Sequence, residues 1–469
     1  MASTTNLERQ AGDPPGPDAI ADDLSPVAES TAEAGRRERA RLPRRVIGQH
    51  VLAPDRPDPI AILEAQGTSR LQDLLPIRYG RMAVSPFTFY RGAAAVMAAD
   101  LGAAPRTRLR VQLCGDAHLS NFGIYRSPER SLVFDLNDFD ETLPGPFEWD
   151  TKRLAASFVV AGRSLGWTRS FSHRALLYAM GSYRLRMGEY ARAGALDTWY
   201  SRITIDDLIS ILPREAAGIE RIRRLAAKRD NLGALNKLTT VVDGQRRLKS
   251  LPPLLERLPV DDQQDLINSL FRQYRRSLAP ERRVLIDRYE FVDIARKVVG
   301  VGSVGTRCWV LYFEGPGGGD PLFLQAKEAT ASVLEPYLGR PAQKHHGQRV
   351  VLGQKLMQAA SDVFLGWMTG PEGPHYYWRQ LWDAKISADL ETMKPAGLLS
   401  YARVCGWALA RAHARSGNPA AIAAYMGSSG RFERAMLEYS EAYADQTERD
   451  YAALRAAIDS GRIEATTGI

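Results

Sequence analysis

The segment Cys114-Gly-Asp-Ala-His-Leu-Ser-Asn121 sets an acid, Asp116, five positions before an amide, Asn121, in a run of small and turn-forming residues. A carboxylate and an amide oxygen reaching one cleft from a single tight loop can meet two needs together. One is a group that positions or deprotonates an incoming hydroxyl or amine; the other is an oxygen ligand for Mg²⁺. Phosphoryl transfer requires that pair. His118 lies between them, either as a catalytic group or as a side chain that holds the loop backbone. Asp and Asn also make turns and helix caps, so the pair alone equally suits a structural loop.

A second carboxylate group follows. Val133-Phe-Asp-Leu-Asn-Asp-Phe-Asp-Glu-Thr142 reads as a strand that runs into a cluster of acids. Asp138 is the expected metal ligand, with Asp135 and Asp140 in reserve should the strand end in another register. Asp150 comes twelve residues after Asp138 and opens a helix, Asp150-Thr-Lys-Arg-Leu-Ala155. Loop, strand and helix together resemble aminoglycoside phosphotransferases and related small-molecule kinases. Those enzymes carry an H/C-G-D-x-x-x-x-N loop, a strand-terminal metal-binding Asp, and a helix-opening Asp twelve residues later.

The third part is far away in the chain. Gly300, Gly302, Ser303 and Gly305 lie between two β-like runs, a composition suited to a hairpin whose backbone approaches phosphates and offers its N–H groups. The next β-like run, Leu322-Phe-Leu-Gln-Ala-Lys327, brings a lysine that could hold nucleotide phosphates. An acid should orient that lysine, and Glu335 and Glu328 are the candidates. The glycines open no helix, so the requirements of a dinucleotide-binding fold are not met. ATP and Mg²⁺ are the cofactors this set implies.

Other signals are softer. Tyr376–Lys385 fits either a strand and hinge behind an adenine or a strand with buried aromatics. His413 suits a structural or capping role. Arg78, Arg81 and Arg91 suit either an anionic substrate or ion pairs within the core.

The elements that must position these residues follow from the wider pattern. The chain has 469 residues, too many for one compact core, with 45% hydrophobic and 25% charged residues and a net charge of +8. The positive charge is interspersed with acids, which favours solvated helix faces over a nucleic-acid interface. Three scattered cysteines without CxxC spacing argue against a disulfide framework or zinc site. No membrane span and no secretory signal is evident, which leaves the cytoplasm as the expected compartment. Residues 1–45, rich in Ala, Pro and charge, read as a disordered tail. Residues 46–289 read as a helical large lobe that carries the catalytic and metal loops. Within it, Ser85-Pro86 opens a helix through Leu101, and Asp243-Gly244 turns a hairpin. Residues 290–385 read as a small β-rich, nucleotide-gripping lobe, and 386–469 as helices returning to the large lobe.

Several of these motifs also resemble one bacterial family, the domain of unknown function 2252. They are Arg81-Met with Ser85-Pro-Phe and Arg91-Gly, Cys114–Gly123, Phe134–Thr142, Gly302–Gly305, Gln325–Ala329, Gly347–Val351 and Ala410–Ser416. The resemblance runs over residues 45–460 and implies no established activity. In ordinary kinases the glycine loop and lysine precede the catalytic loop, whereas here they follow it. The expected fold class is therefore α+β, kinase-like, two-lobed and circularly permuted. The expected function is Mg²⁺-dependent phosphotransfer from ATP to an unidentified small molecule or protein. Nucleotidyl transfer on the same scaffold and nucleotide binding without turnover are the alternatives. One spatial consequence follows: the Lys327 amine should lie within about 10 Å of an Asp138 carboxylate oxygen, with the Gly302–Gly305 turn above them.

Overall fold

The computed structural model describes residues 32–212, 216–227, 231–258, 264–298, 300–317, 319–381 and 386–468. It is a mixed α+β fold with strands in four sheets among these residues. Residues 1–31, most of the expected tail, lie outside the described residues.

The remainder of that tail is helical. α1 (Ala32–Arg41) lies against Pro419–Met426 with Gly35 so close that a Cβ there would stand 1.9 Å from the Ala421 carbonyl oxygen. Its Glu38 is buried and accepts from the Arg108 backbone N–H (2.7 Å) and from Arg41. Composition conceals this helix because its packed face is a glycine and a satisfied carboxylate, with little apolar surface.

Ser85 caps α2 (Pro86–Gly92) in a reciprocal capping box with Thr88. The helix expected to continue to Leu101 breaks at Ala93 before α3 (Ala94–Ala103). The break takes from the carbonyls of Tyr90 and Gly92 the Ala94 and Val96 N–H groups of an unbroken helix. The Tyr90 carbonyl accepts from Ala93 N–H (3.2 Å) and Arg153 (2.7 Å), and the Gly92 carbonyl from Arg78 (3.3 Å).

Two short antiparallel pairs follow. β1 (Arg110–Leu113) pairs with β4 (Leu143–Pro146), and β2 (Phe122–Arg126) with β3 (Leu132–Leu136). Nesting one pair within the other sets the β1–β2 loop, with Asp116 and Asn121, beside the β3–β4 loop, with Asp138 and Asp140. Behind them stand α4 (Glu148–Ser164) and α5 (Arg169–Tyr190). Leu154, Phe158, Leu176 and Tyr183 are buried in the main core, where a large apolar side chain is worth about 1.5–3 kcal/mol.

The hairpin of β5 (Thr239–Val242) and β6 (Gln245–Leu248) turns at Asp243 and Gly244, both at positive φ (50° and 76°). Next come β7 (Leu255–Arg257), α6 (Gln264–Ser277), β8 (Glu290–Lys297), β9 (Cys308–Glu314), β10 (Pro321–Ala329), α7 (His346–Met357), β11 (Gly366–Thr369) and β12 (His375–Gln380). The strands form one antiparallel sheet in the order β11-β12-β10-β9-β8-β7. This sheet therefore recruits a strand and a covering helix from before residue 290.

Alternation along β10 decides the sheet's two faces. Leu322, Leu324 and Ala326 pack toward α6, where Tyr274 stacks on Trp378 at 4.2 Å between ring centroids. Phe323, Gln325 and Lys327 point the other way. β13 (Ile386–Ser387) then pairs with β2, returning the chain to the first loops. α8 (Pro395–Ser416), α9 (Pro419–Met426) and α10 (Arg431–Asp459) complete the helical body. α8 lies on α5 at a contact only glycine permits, since a Cβ on Gly406 would stand 1.9 Å from the Ala179 carbonyl oxygen. No helix among the described residues is long and apolar enough to cross a membrane.

Candidate functional site

Gly115 turns the β1–β2 loop at φ +85°, and a Cβ there would stand 2.4 Å from the Glu141 carbonyl oxygen of the neighbouring loop. Glycine is required on both counts. Asp150, in the first turn of α4, accepts from the N–H groups of Cys114 (2.7 Å) and Gly115 (3.0 Å). His413 touches the same carboxylate at 3.2 Å and Tyr183 through its other ring nitrogen at 2.8 Å. Asp150 and His413 thus hold the loop.

Asp116 is fixed on one oxygen by the buried Arg153 guanidinium, whose Nε and Nη2 lie 2.9 and 2.8 Å away. Its other oxygen is 3.7 Å from His118 Nε2, and the carboxylate keeps 24% exposure. His118 is buried, which pulls its pKa down to about 4, so the imidazole is neutral at physiological pH. Asn121 clamps the two loops: its amide donates to the carbonyls of Asp116 (3.0 Å) and Asp138 (3.1 Å). The side-chain oxygen of Asn121 remains as an acceptor.

Across the cleft, Lys327 sits on the central strand β10, opposite Tyr377 on one side and Cys308 on the other. Its amine bonds Asp140 and lies 3.9 Å from Asp138 Oδ2, inside the distance expected from sequence. Tyr377 donates to the second Asp140 oxygen (2.8 Å), and Ser303 of the glycine loop reaches Asp140 Oδ2 at 3.4 Å. Burial opposes the lysine's charge, but the Asp138 and Asp140 carboxylates outweigh it and hold its pKa above the ordinary value. Arg349 of α7 supports the acidic loop through the carbonyls of Asp140 and Thr142, both at 2.7 Å.

The glycine loop joins β8 to β9 through a 3₁₀ turn, Val301–Ser303, which Gly300 precedes. Gly305 alone of its three glycines has positive φ, +87°, and its carbonyl accepts from Leu71 N–H (2.8 Å). Gly302 backs closely onto α2, where a Cβ would stand 3.4 Å from the Arg91 carbonyl oxygen. The turn lies over the acidic loop through Ser303.

Asp116, His118, Asn121, Asp138, Asp140, Ser303 and Lys327 are therefore brought together, and three expected residues are not. Asp135 is buried away from the cluster, bonded by Arg411 at 2.6 Å and by its own strand-end backbone, which corrects its place as a reserve metal ligand. Glu335 caps Ser332 N–H (2.9 Å) and stands 4.0 Å from Arg349, while Glu328 pairs with Arg307 at 3.0 Å. Neither orients Lys327; Asp140 does. Glu328 points to the opposite face of β10 from Lys327, as strand alternation demands. Of the stretch Tyr376–Lys385, residues up to Gln380 form β12, and residues 382–385 lie outside the described residues.

Sequence reasoning assigned no site role to Arg153, Tyr377 or Arg349. The only sequence signal for Arg153 is its place one turn after Asp150. Tyr377 becomes visible only through its register opposite Lys327.

Residues 70–457 match the family described as "Uncharacterized protein conserved in bacteria" (DUF2252). The chain belongs to DUF2252. No curated protein and no solved structure matches it. The DUF2252 match spans both loops, the glycine turn and Lys327, so every member of the cluster lies within it.

Among the described residues, no group of three or more His, Cys, Asp or Glu side chains is arranged to hold a metal. Mg²⁺ needs fewer: one or two carboxylates suffice when phosphate oxygens and water complete its octahedron. Asp138, 41% exposed, and the Asn121 oxygen suit that role.

Proposed function

We propose that this DUF2252 protein is a Mg²⁺-dependent phosphotransferase of permuted kinase-like architecture, using ATP and acting in the cleft between β10 and the two acidic loops. One observation carries the reading: Lys327 meets Asp138 and Asp140 beneath Ser303 although 187 residues separate Lys327 from Asp140. A glycine loop between two antiparallel strands, a lysine on the third and a helix next is the order of parts with which kinases grip phosphates. Here that order begins at β8, after the catalytic loop, which is what a circular permutation produces. A site is defined by geometry and not by chain order.

Lys327 would hold nucleotide phosphates beneath the Gly300–Gly305 turn. Asp138 and Asn121 would hold Mg²⁺, which neutralises phosphate charge when bound. Arg153 presents the free oxygen of Asp116 to the acceptor. The acceptor hydroxyl oxygen bonds the γ-phosphorus, its proton passes to Asp116, and the bond to the β,γ-bridging oxygen breaks to release ADP. α7 carries no acid to serve as the glutamate that kinases use, so Asp140 supplies the lysine's counter-charge.

The test is thermal stabilisation by ATP with and without Mg²⁺, since a ligand at 100 times its Kd raises stability by about 2.7 kcal/mol. A midpoint that rises only with Mg·ATP supports the reading, and an unmoved midpoint opposes it. Transfer of label from the α- and not the γ-phosphate would mark a nucleotidyl transferase instead.

A further inference from the structure

Three arginines behind the glycine loop have no role in the phosphotransfer just described. Arg78 is completely buried; one Nη donates to Gln66 (3.2 Å) and to the Gly92 carbonyl (3.3 Å), while its Nε and other Nη are buried without a partner. Arg70 donates to the Val304 carbonyl at 2.5 Å. Arg91 lies 5.9 Å from the Phe87 ring centroid, and its buried Nε has no partner. None of the three has a carboxylate within ion-pair distance among the described residues. Gly302 backs onto Arg91 and Gly305 onto Arg70, so the glycine loop joins them. Asp116 and His118 both lie within reach of the Arg91 charge, and His118 Nδ1 is also buried and unpartnered.

Cations removed from water without a direct ion pair are costly, and here burial outweighs the more distant carboxylates and holds all three pKa values below the ordinary one, that of Arg78 near 9. An arginine side chain keeps its charge at neutral pH. Guanidinium forks with free donors match the oxygens of a dianionic phosphate better than any other common group.

We infer that Arg91, with Arg70 and Arg78 behind it, forms an oxyanion pocket beside Asp116, and that the acceptor is a small molecule bearing a phosphate group. The acceptor's identity rests on the phosphotransferase reading; the pocket does not. Arg91 anchors nothing in the fold by hydrogen bonds, so its removal leaves the scaffold intact.

The experiment titrates inorganic phosphate into the full chain at constant ionic strength, with the exposed Arg272→Gln variant as a surface-charge control. A non-hydrolysable Mg·ATP analogue is titrated in parallel. Phosphate should bind wild type and Arg272→Gln alike and bind Arg91→Gln about tenfold or more weakly, the loss of a charge-assisted pair. Phosphate and the nucleotide analogue should bind together, and Arg91→Gln should keep its nucleotide affinity. Equal phosphate affinity in Arg91→Gln and wild type, or no phosphate binding at all, overturns the pocket. Competition between phosphate and nucleotide also overturns it, by assigning Arg91 to the nucleotide's own phosphates. If phosphate binding depends on Arg91 while the nucleotide fails to bind, the pocket stands and the phosphotransferase reading falls.

Discussion

The Lys327 ammonium lies 3.9 Å from a carboxylate oxygen of Asp138 and bonds Asp140 directly, joining the sheet of β10 to the loop after β3. Lys327 is 3% exposed on its side chain, Asp140 26% and Asp138 41%, so a buried cation faces two carboxylates that open progressively to solvent.

That gradient makes the pair partly structural. Lys327→Met and Asp140→Asn should each destabilise the protein by about 1–3 kcal/mol, since each strands its partner. The double variant should lose less than the two losses combined, with a coupling of ~1–2 kcal/mol, below that of a sealed pair because Asp140 is partly solvated. Denaturant unfolding of the four proteins measures it. Strict additivity would mean that the contact carries no energy.

Asp116→Asn keeps the acceptor oxygen for Arg153 but removes the basic charge. Nucleotide affinity should stay nearly constant while turnover falls about 10²-fold or more. Steady-state kinetics beside a binding titration separates the two. Unchanged turnover would remove Asp116 from the chemistry.

Asp135 and Asp138 are separated by a single variant each. Asp135→Asn leaves Arg411, itself fully buried, without its counter-charge and should cost about 3 kcal/mol. The folded fraction should still bind Mg·ATP. Near-native stability with lost nucleotide binding would return Asp135 to the metal site.

His118 carries a pH signature. Its pKa is about 4 in the fold against 6.5 when exposed, so the unfolded chain takes the proton first. The associated stability is complete above pH 6.5 and is lost as pH falls toward 4. At about 1.4 kcal/mol per pKa unit, the loss is about 3 kcal/mol. His118→Gln should flatten the stability–pH curve across that window by this amount, measured by urea midpoints. Parallel curves would contradict a buried neutral imidazole.

Much of the site was legible because its signals are local. The spacing of Asp116 and Asn121, the acids after a strand and glycines between strands each report on one loop. The juxtaposition of the distant halves was legible for a different reason, because a lone buried lysine and a carboxylate cluster each lack what the other supplies. Glu335 does not orient Lys327 because it opens a separate short turn beyond β10, where it takes the Ser332 N–H and faces Arg349. Asp135 was misread because a strand-end acid looks the same whether it turns to the cleft or to Arg411, which lies 276 residues away. α1 escaped notice because its buried surface is backbone and Glu38. At the break before Ala94, Arg78 and Arg153 bond helix carbonyls from elsewhere in the chain, a tertiary contact that no local pattern announces.

Calorimetric titration of Mg·ATP shows whether a Mg-bound nucleotide occupies the cleft between Lys327 and Asp138. Wild type should bind one equivalent, and more weakly without Mg²⁺. Asp138→Asn, which keeps Asp140 as the counter-charge of Lys327, should stay folded and bind at least about tenfold more weakly. Folded wild type that binds no Mg·ATP, or an Asp138→Asn variant that binds it as tightly as wild type, would rule out a Mg-bound nucleotide in this cleft.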